Sequence, residues 1–341
     1  AEADAATAAT AQAAAETAKV AAEAAKVAAE NAKSIAETAT TAAEASLATL
    51  QATYDTLLAD YNALANPVAQ TYTLTTGLDT VTGTAGNDTI TGNTAAAAVA
   101  LTSLDSIDGG DGADTLNITA TGAIDTTAAV GASVVNVETA NLVSNSTVTA
   151  TTTAWTGLTQ LTVSAADDVA ITAAATTNVT STVSDVSAAG GTEVSVDGGN
   201  NVVLTTAEAT TADGTASAVA IVVGGSTAAS GDVVVTHTET VTDGTGASAD
   251  DTATIAVTGG DTITITNNAS GGANDDATDI ITIGAVTATG DANTTSVSVT
   301  QSAAAARTAD VMGIANGAVD VLDANRASAT DAGTIATVTL D

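Results

Sequence analysis

The stretch DGGDGADTLNIT, residues 108–119, holds three glycines and three aspartates in its first seven positions and then alternates apolar with polar residues. Glycine permits backbone conformations in which main-chain carbonyls turn toward a common point. Carboxylates spaced this closely repel one another, and a multivalent cation with oxygen ligands would make the arrangement favourable. The alternation that follows is typical of a β-strand with one buried face. The stretch therefore predicts a cation-binding turn that leads directly into a strand.

Residues 109–117 match the nonapeptide G-G-x-G-x-D-x-U-x at every fixed position, with Asp114 as the carboxylate and Leu116 as the apolar U. A weaker copy covers residues 83–91, where Thr84 replaces the second glycine. A Gly/Asp-rich turn without metal is the alternative interpretation, but two copies that each lead into a strand favour Ca²⁺. Since Ca²⁺ takes six to eight oxygen ligands, further acids are candidates to complete the shells: Asp79, Asp105, Asp108 and Asp111.

The region from Gln70 onward repeats short runs that alternate apolar residues with Thr or Ser, such as TIAVT and TITIT, between turns rich in Gly, Asn and Asp. These are period-2 strands with no helical pattern between them, which excludes a doubly wound α/β fold. The apolar residues are mostly short aliphatics, and aromatics make up 1% of the chain, so a thin core is expected. The pattern predicts a mainly β fold with a stacked parallel β-solenoid, and a sandwich is the second choice.

The formal net charge of −34 argues against nucleic acid as a partner, since the phosphate backbone would be repelled. There is one histidine and no cysteine, so neither a Ser-His-Asp set nor a disulfide framework is predicted. Every apolar run is too short to span a membrane. We expect no enzyme, with no catalytic and no cofactor-binding residues. The chain starts without Met and stops directly after a strand-like run, so we expect a piece of a longer protein, cut at its C-terminus.

Residues 1–66 contain no glycine, and glutamates and lysines recur there every seven residues. Large apolar residues step by three and four, the spacing of a coiled-coil seam: Leu47, Leu50, Tyr54, Leu57, Tyr61 and Leu64. The segment therefore predicts a long helical domain before a solenoid domain at 67–341. Whether its seam pairs between chains or caps the first solenoid coil stays open at this point.

The stretches LTTGLDTVTGTAGNDTITG (74–92) and SLDSIDGGDGADTLNIT (103–119) resemble the start of the calcium-binding β-solenoid in RTX-type bacterial surface-layer (S-layer) proteins, a family of β-strand repeats. The resemblance extends over residues 71–341, including Thr/Ala-rich repeats near the end. It implies a secreted protein that forms a two-dimensional lattice on the cell surface and needs calcium for folding and subunit contacts. The chain departs from the family in one feature, since a heptad-patterned helix stands where these proteins typically carry a globular helical anchoring domain.

By motif position, the resemblance implies Asp88 and Asp114 as side-chain calcium ligands, in turns shaped by glycines: Gly83, Gly86, Gly109 and Gly112. The expected function is that of a calcium-stabilised, self-assembling structural protein of a bacterial surface layer. The alternative is a stalk or repeat module of a secreted calcium-dependent adhesin or biofilm-matrix protein. Expected partners are further copies of the chain and, as a second candidate, a cell-surface glycan or lipopolysaccharide. No nucleic acid and no membrane insertion are expected.

Other residues that could suggest a site receive simpler interpretations. His237 alternates with threonines in a strand and has no second His or Cys to join it, so a strand side chain is favoured over a zinc ligand. Trp155 lies beside a Leu-bearing strand and is interpreted as a core residue. The acid pairs at 250–251 and 275–276 are interpreted as solvated loop residues. Thr-x-Thr rows would also suit an ice-binding face, but they are too few and irregular in the sequence to favour it.

Overall fold

The computed structural model describes residues 1–65, 68–94, 101–127, 132–186, 193–212, 219–243, 253–271, 280–305, 313–325 and 333–341. The chain divides into two units, Ala1–Asn66 and Pro67–Asp341. The first is one long helix and the second is built from parallel strands, in agreement with the predicted mainly β class. The acid pairs at 250–251 and 275–276 lie outside the described residues. Within the described part of the chain, no helix is both long enough and apolar enough to cross a membrane.

The helix α1 (Glu2–Ala65) has 64 residues and is therefore about 96 Å long. Its alanines favour the helical backbone, and neither glycine nor proline interrupts it. Lysine and glutamate pair along one turn, as in Lys26–Glu30 (3.7 Å) and Lys33–Glu37 (3.6 Å). The predicted seam lies on the surface of this unit, with Leu47 and Leu50 about two-thirds exposed.

The second unit contains a large sheet whose eleven strands all pair in parallel. In spatial order these are β1 (Thr71–Leu74), β3 (Thr89–Thr94), β5 (Thr115–Ala120), β8 (Thr139–Ser144), β10 (Gln160–Ala165), β12 (Asn178–Val183), β14 (Val202–Ala212), β16 (Val233–Asp243), β18 (Thr262–Gly271), β21 (Ser296–Ala305) and β24 (Thr337–Leu340). Between neighbours in this sheet the chain leaves to form a strand of another sheet and then returns. This is the winding of a parallel β-solenoid-like fold, and it excludes the antiparallel sandwich.

The remaining strands form three smaller parallel sheets. The second sheet contains, in spatial order, β23 (Val319–Asp323), β20 (Val286–Gly290), β17 (Thr254–Thr258), β15 (Ala220–Val223), β13 (Val194–Gly198), β11 (Val169–Ala173), β9 (Val148–Thr151) and β6 (Ile124–Asp125). A third sheet contains β2 (Thr80–Thr82), β4 (Ser106–Asp108) and β7 (Ser133–Val135), and a fourth contains β19 (Ile280–Thr282) and β22 (Gly313–Ala315). The separation between register partners in the large sheet is 18 residues for Thr71 and Thr89 and 41 for Val297 and Val338.

The core consists of aliphatic ladders that run along the stack of coils. One inward position of the large sheet is occupied in successive strands by Ile90, Leu116, Ala140, Leu161, Val179, Val202, Val233, Ile263 and Val297. The second sheet supplies an opposing ladder: Ile124, Val148, Val169, Val194, Ile221, Ile255 and Val286. All of these side chains are buried, and Trp155 is 8% exposed within the same core. The predictions of an aliphatic core and a core Trp155 are therefore confirmed.

The longest strands of the large sheet are β14, β16, β18 and β21. Beyond the aliphatic ladder, their inward-facing positions carry polar residues. Thr206, His237, Asn267 and Gln301 occupy one register position. The Thr206 hydroxyl lies 2.9 Å from His237 Nδ1, and the Asn267 and Gln301 amides donate to the Gly284 carbonyl at 3.5 and 3.0 Å. His237 is fully buried, and burial lowers its pKa to about 4. Its Nε2 has no hydrogen-bond partner among the described residues.

Candidate metal site

Two turns of equal design lie one above the other in consecutive coils of the solenoid. We call residues 83–88 the upper turn and residues 109–114 the lower turn. Each precedes a strand of the large sheet, and the two strands pair in register from Thr89 and Thr115 onward. The turns also contact each other directly, because the Asp111 amide donates to the Thr84 carbonyl at 3.1 Å. The two nonapeptide copies are therefore adjacent in space.

Glycine is required where carbonyl oxygens of the next coil enter the turn. A Cβ on Gly83 would lie 1.7 Å from the Gly109 carbonyl oxygen, and one on Gly109 would lie 1.9 Å from the Asn136 carbonyl oxygen. No side chain fits at either position. The coils consequently stack with main-chain oxygens directed along the column of turns.

Asp88, the carboxylate of the upper turn, is buried and fully engaged in hydrogen bonds. Its Oδ1 accepts from the Gln70 amide at 2.5 Å, and its Oδ2 accepts from the Thr84 amide at 2.5 Å. The Thr84 hydroxyl donates to the same carboxylate at 3.1 Å. Desolvation alone would raise the pKa of Asp88, but these hydrogen bonds outweigh it and the pKa is lowered. The upper turn thus stabilises a buried carboxylate with protein groups alone.

Asp114 holds the same position in the lower turn, but only one of its two oxygens has a partner. Its Oδ1 accepts from the Asp88 amide at 2.6 Å, which joins the two coils. Its Oδ2 is buried and has no hydrogen-bond partner among the described residues. Glycine at position 110 supplies no hydroxyl, and the Gly110 amide donates instead to Asp108 at 3.1 Å. The complete nonapeptide therefore leaves a buried carboxylate oxygen free.

The surroundings of Asp114 are unfavourable to its charge. Desolvation raises the pKa of Asp114, and the nearby charges of Glu138, Asp88 and Asp108 raise it further, while the Asp88 amide partly opposes them. A buried carboxylate without a counter-charge is costly. The lower turn is thus a place where a bound cation would be stabilising.

Two oxygens that could bind such a cation approach the Cα of Gly109 from the side where other residues carry Cβ. The position that a Cβ would occupy there is 1.9 Å from the Asn136 carbonyl oxygen and 2.5 Å from Asp114 Oδ2. Two oxygens from different coils therefore converge on one point. Asn136 adopts a positive φ of 52°, which is uncommon for a residue with a side chain. The residues present fit a hard cation that accepts carbonyl and carboxylate oxygens.

Two of the sequence-predicted ligands, Asp79 and Asp105, lie at a different corner of the coil. They precede strands of the third sheet rather than the large sheet. A hydrogen bond joins their two coils, since the Asp79 amide donates to Asp105 Oδ1 at 2.9 Å. Each carboxylate also accepts from the backbone of its own turn, Asp79 from Thr75 at 2.7 Å and Asp105 from Thr102 at 2.6 Å. At this corner the Asp105 carboxylate therefore accepts a hydrogen bond from the neighbouring coil, whereas the Asp79 carboxylate accepts within its own turn.

The other predicted site residues lie within the two turns or, for Asp108, directly before the lower one. Asp108 accepts from the Asn136 side-chain amide at 2.9 Å, and Asp111 is exposed. Gly112 has a φ of 128°, and a Cβ there would lie 2.7 Å from the Gly86 carbonyl oxygen. Gly86 and Gly112 therefore hold equivalent positions in the stack. Their roles in binding a cation stay a prediction.

The structure adds Glu138, which sequence reasoning missed. Glu138 precedes β8, and its Oε2 accepts from the Asp114 amide at 2.7 Å, so it repeats in the next coil what Asp114 does for Asp88. A short signal could have found it. An acid followed by Thr or Ser at the first position of a strand occurs at residues 79–80, 88–89, 105–106, 114–115 and 138–139.

Among the described residues, no group of three or more His, Asp or Glu side chains is arranged to hold a metal ion. A cation in the lower turn would consequently take most of its ligands from main-chain carbonyls, which Ca²⁺ accepts and transition metals do not favour. No protein-family model matches this chain, and a comparison with curated proteins found no match.

Proposed function

We propose that this chain is a structural protein of a bacterial surface layer, stabilised by calcium and self-assembling at the cell surface. The proposal has two parts, a calcium site in the lower turn and a lattice-forming role for the solenoid. The observation that carries it is the buried, unpartnered Oδ2 of Asp114 in a complete nonapeptide turn.

Asp114 Oδ2 and the Asn136 carbonyl would hold the cation beside Gly109, where the missing side chain lets both oxygens approach the backbone. A bound cation would supply positive charge where three neighbouring carboxylates, Glu138, Asp88 and Asp108, raise the cost of ionising Asp114. The same charge matters for the whole solenoid, because residues 67–341 carry thirty of the 39 acids and only two of the five basic residues. Self-repulsion at that charge destabilises a compact state, and cation binding opposes it.

A structural role is favoured over catalysis by the residues available. The chain has one histidine, and that histidine is buried in the solenoid interior. Repetition of one coil geometry suits assembly, since identical edges recur along the stack. Export to the cell surface is part of the proposal and rests on the resemblance of residues 71–341 to surface-layer solenoids.

Thermal unfolding of the full chain, followed by Trp155 fluorescence, tests the calcium site. Calcium at a hundredfold excess over its dissociation constant adds about 2.7 kcal/mol, so we expect Tm to rise by about 5 °C or more over the value in chelator. Asp114→Asn should abolish that rise. Asp197→Asn is the matched control, because Asp197 also accepts a backbone N–H from a neighbouring coil (Ser226, 2.7 Å) away from the nonapeptide turns. An unchanged Tm in chelator, or equal loss in both variants, contradicts the calcium site.

Electron microscopy of the purified chain with calcium tests the assembly. Ordered two-dimensional arrays support a surface layer. Isolated fibres would replace it with the stalk of a calcium-dependent adhesin, the second candidate named by the sequence. Dispersed particles at every calcium concentration contradict self-assembly.

A further inference from the structure

The outward face of the large sheet differs from the rest of this acidic molecule because it is neutral and rich in hydroxyls. Within the described part of the sheet, none of its outward side chains is charged. Threonine occupies about half of the outward positions: Thr71, Thr73, Thr89, Thr91, Thr115, Thr119, Thr139, Thr162, Thr180, Thr182, Thr205, Thr236, Thr238, Thr240, Thr262, Thr264, Thr266, Thr300, Thr337 and Thr339. We call this surface the threonine face. Register pairing aligns its threonines in rows across the strands, for example Thr182 beside Thr205.

The second sheet presents a different outward face. It carries carboxylates at several positions along the stack, namely Asp125, Asp197 and Asp320. The acids that join the coils lie in turns at the edges of the large sheet. Among the surfaces that the structure describes, the threonine face is therefore a broad one on which two copies of a chain with net charge −34 meet little repulsion between outward strand side chains.

Its chemistry is also complementary to itself. Each threonine hydroxyl both donates and accepts a hydrogen bond, so an array of hydroxyls satisfies an identical array. A two-fold symmetric interface requires such self-complementarity, since the same patch is used by both copies. Two partly exposed valines, Val143 (39%) and Val203 (41%), add apolar contact in the middle of the face.

The face is large enough for a stable contact. Eleven strands at about 4.8 Å spacing, with outward residues about 6.7 Å apart along each strand, give roughly 50 by 20 Å. Two copies would then bury on the order of 2,000 Å², which lies at the upper end of standard interfaces. We infer that the threonine face is a self-association surface through which two copies of this chain pair, sheet against sheet.

This inference rests on the self-assembly in the proposed function and names the surface that performs it. It does not rest on the calcium site. If the chain forms dimers through this face but no lattice, only the proposed surface-layer function is wrong. If it forms a lattice without pairing through this face, only the present inference is wrong.

Cysteine cross-linking of the full chain tests the surface, because the natural sequence contains no cysteine. Thr180→Cys lies near the middle of the threonine face, and Thr172→Cys is its counterpart on the second sheet. Both are small changes on outward strand positions. Under mild oxidation we expect a disulfide-linked dimer from Thr180→Cys and none from Thr172→Cys. Cross-linking of both variants, or of neither, overturns the inference.

Sedimentation of charge variants gives an independent measurement. Thr182→Glu with Thr205→Glu places two carboxylates on paired threonines of the face, and Thr151→Glu with Thr172→Glu does the same on the second sheet. Like charges facing each other across an interface cost several kcal/mol, so we expect the dimer of the first pair to weaken on the order of a hundredfold. The second pair should stay within about twofold of the natural chain.

The seam of helix α1 is the competing surface, and Leu50→Ser with Leu57→Ser removes it. Loss of the dimer in that variant, with the dimer retained after Thr182→Glu and Thr205→Glu, overturns the inference in favour of the helix. A natural chain that stays monomeric at high concentration and moderate salt also overturns it, as an ordered-water face would predict.

Discussion

The upper turn, residues 83–88, and the lower turn, residues 109–114, place an aspartate at the same position of the same coil geometry, yet the two carboxylates differ. Asp88 is saturated by hydrogen bonds that Thr84 largely provides, and its pKa is lowered. Asp114 has glycine in place of that threonine, retains an unpartnered oxygen, and its pKa is raised. Thr84, the residue that departs from the motif, is the one that supplies hydrogen bonds to the buried carboxylate of its turn.

A carboxylate at a motif position is therefore not by itself evidence of a metal ligand. What distinguishes the turns is whether neighbouring donors satisfy both carboxylate oxygens. A single threonine changes this balance, because it adds a hydroxyl that donates to the carboxylate. The two turns are therefore interpreted differently: the upper as a self-sufficient coil junction and the lower as the calcium site.

The largest expected effect comes from removing the Asp88 carboxylate in the absence of metal. Asp88→Ala leaves the amides of Gln70 and Thr84 without their carboxylate acceptor, and charge-assisted bonds of this kind contribute about 1.5–3 kcal/mol each. We expect a loss of about 4 kcal/mol in the free energy of unfolding in chelator, measured by urea titration of Trp155 fluorescence.

Asp114→Ala is the matched variant for that measurement. It removes one hydrogen bond and also an unfavourable buried charge, so its cost in chelator should be about 1 kcal/mol or less. An Asp114→Ala loss equal to that of Asp88→Ala would break the distinction between the turns.

Acid titration could also compare the turns, but His237 contributes to the same pH range and must be separated first. Its pKa of about 4 in the fold lies below the ordinary 6.5, so its neutral form is favoured by folding. Its contribution is fully present above pH 6.5 and is lost as pH falls toward 4, by at most about 3 kcal/mol. His237→Gln should flatten the stability profile in that window. An unchanged slope between pH 6.5 and 4 would show that His237 does not titrate as its burial implies.

Converting the upper turn into a complete nonapeptide is the sharpest test of the comparison. Thr84→Gly removes the hydroxyl donor and adds backbone freedom to the unfolded chain, so we expect about 2 kcal/mol less stability in chelator. Calorimetry should then detect one additional bound calcium. Thr75→Gly is the control, because Thr75 also donates to an aspartate (Asp79) but lies outside both nonapeptides. A gain of calcium in both variants, or in neither, contradicts the role given to Thr84.

The smallest effect is expected in the helical unit, which lacks such turns. Leu50→Ser with Leu57→Ser should change the free energy of unfolding, followed by Trp155 fluorescence, by no more than about 0.5 kcal/mol, as for surface changes in general. The signal is specific, since the single Trp lies in the solenoid core. A lowered midpoint would mean that the seam supports the solenoid as a cap.

Much of the fold could be predicted because its strands follow the simplest pattern available. Alternation of aliphatic residues with Thr or Ser determines which face of each strand is buried, and Gly-rich turns mark the corners. The ladders from Ile90 to Val297 and the buried Trp155 follow from this pattern. The polar column around His237 could not be predicted, because it depends on which residues share a register across strands some thirty positions apart.

The site was only partly predictable for a related reason. Motif spacing located Asp88 and Asp114, but the motif compares single positions and contains no information on hydrogen-bond partners. Glu138 was missed because its turn has no glycine motif, although it accepts the Asp114 amide. Asp79 and Asp105 were grouped with the turns through proximity in sequence, whereas the winding places them at another corner.

The acceptor relation from coil to coil also makes each coil an exchangeable segment. Asp88, Asp114 and Glu138 all precede a strand of the large sheet, and the latter two accept the amide of the equivalent acid one coil earlier. Deletion of residues 89–114 would join Asp88 to Thr115 and bring Glu138 opposite the Asp88 amide, with the aliphatic ladder still in phase. We therefore expect the solenoid to tolerate a change in length by one whole coil, because the hydrogen bond between neighbouring coils is kept.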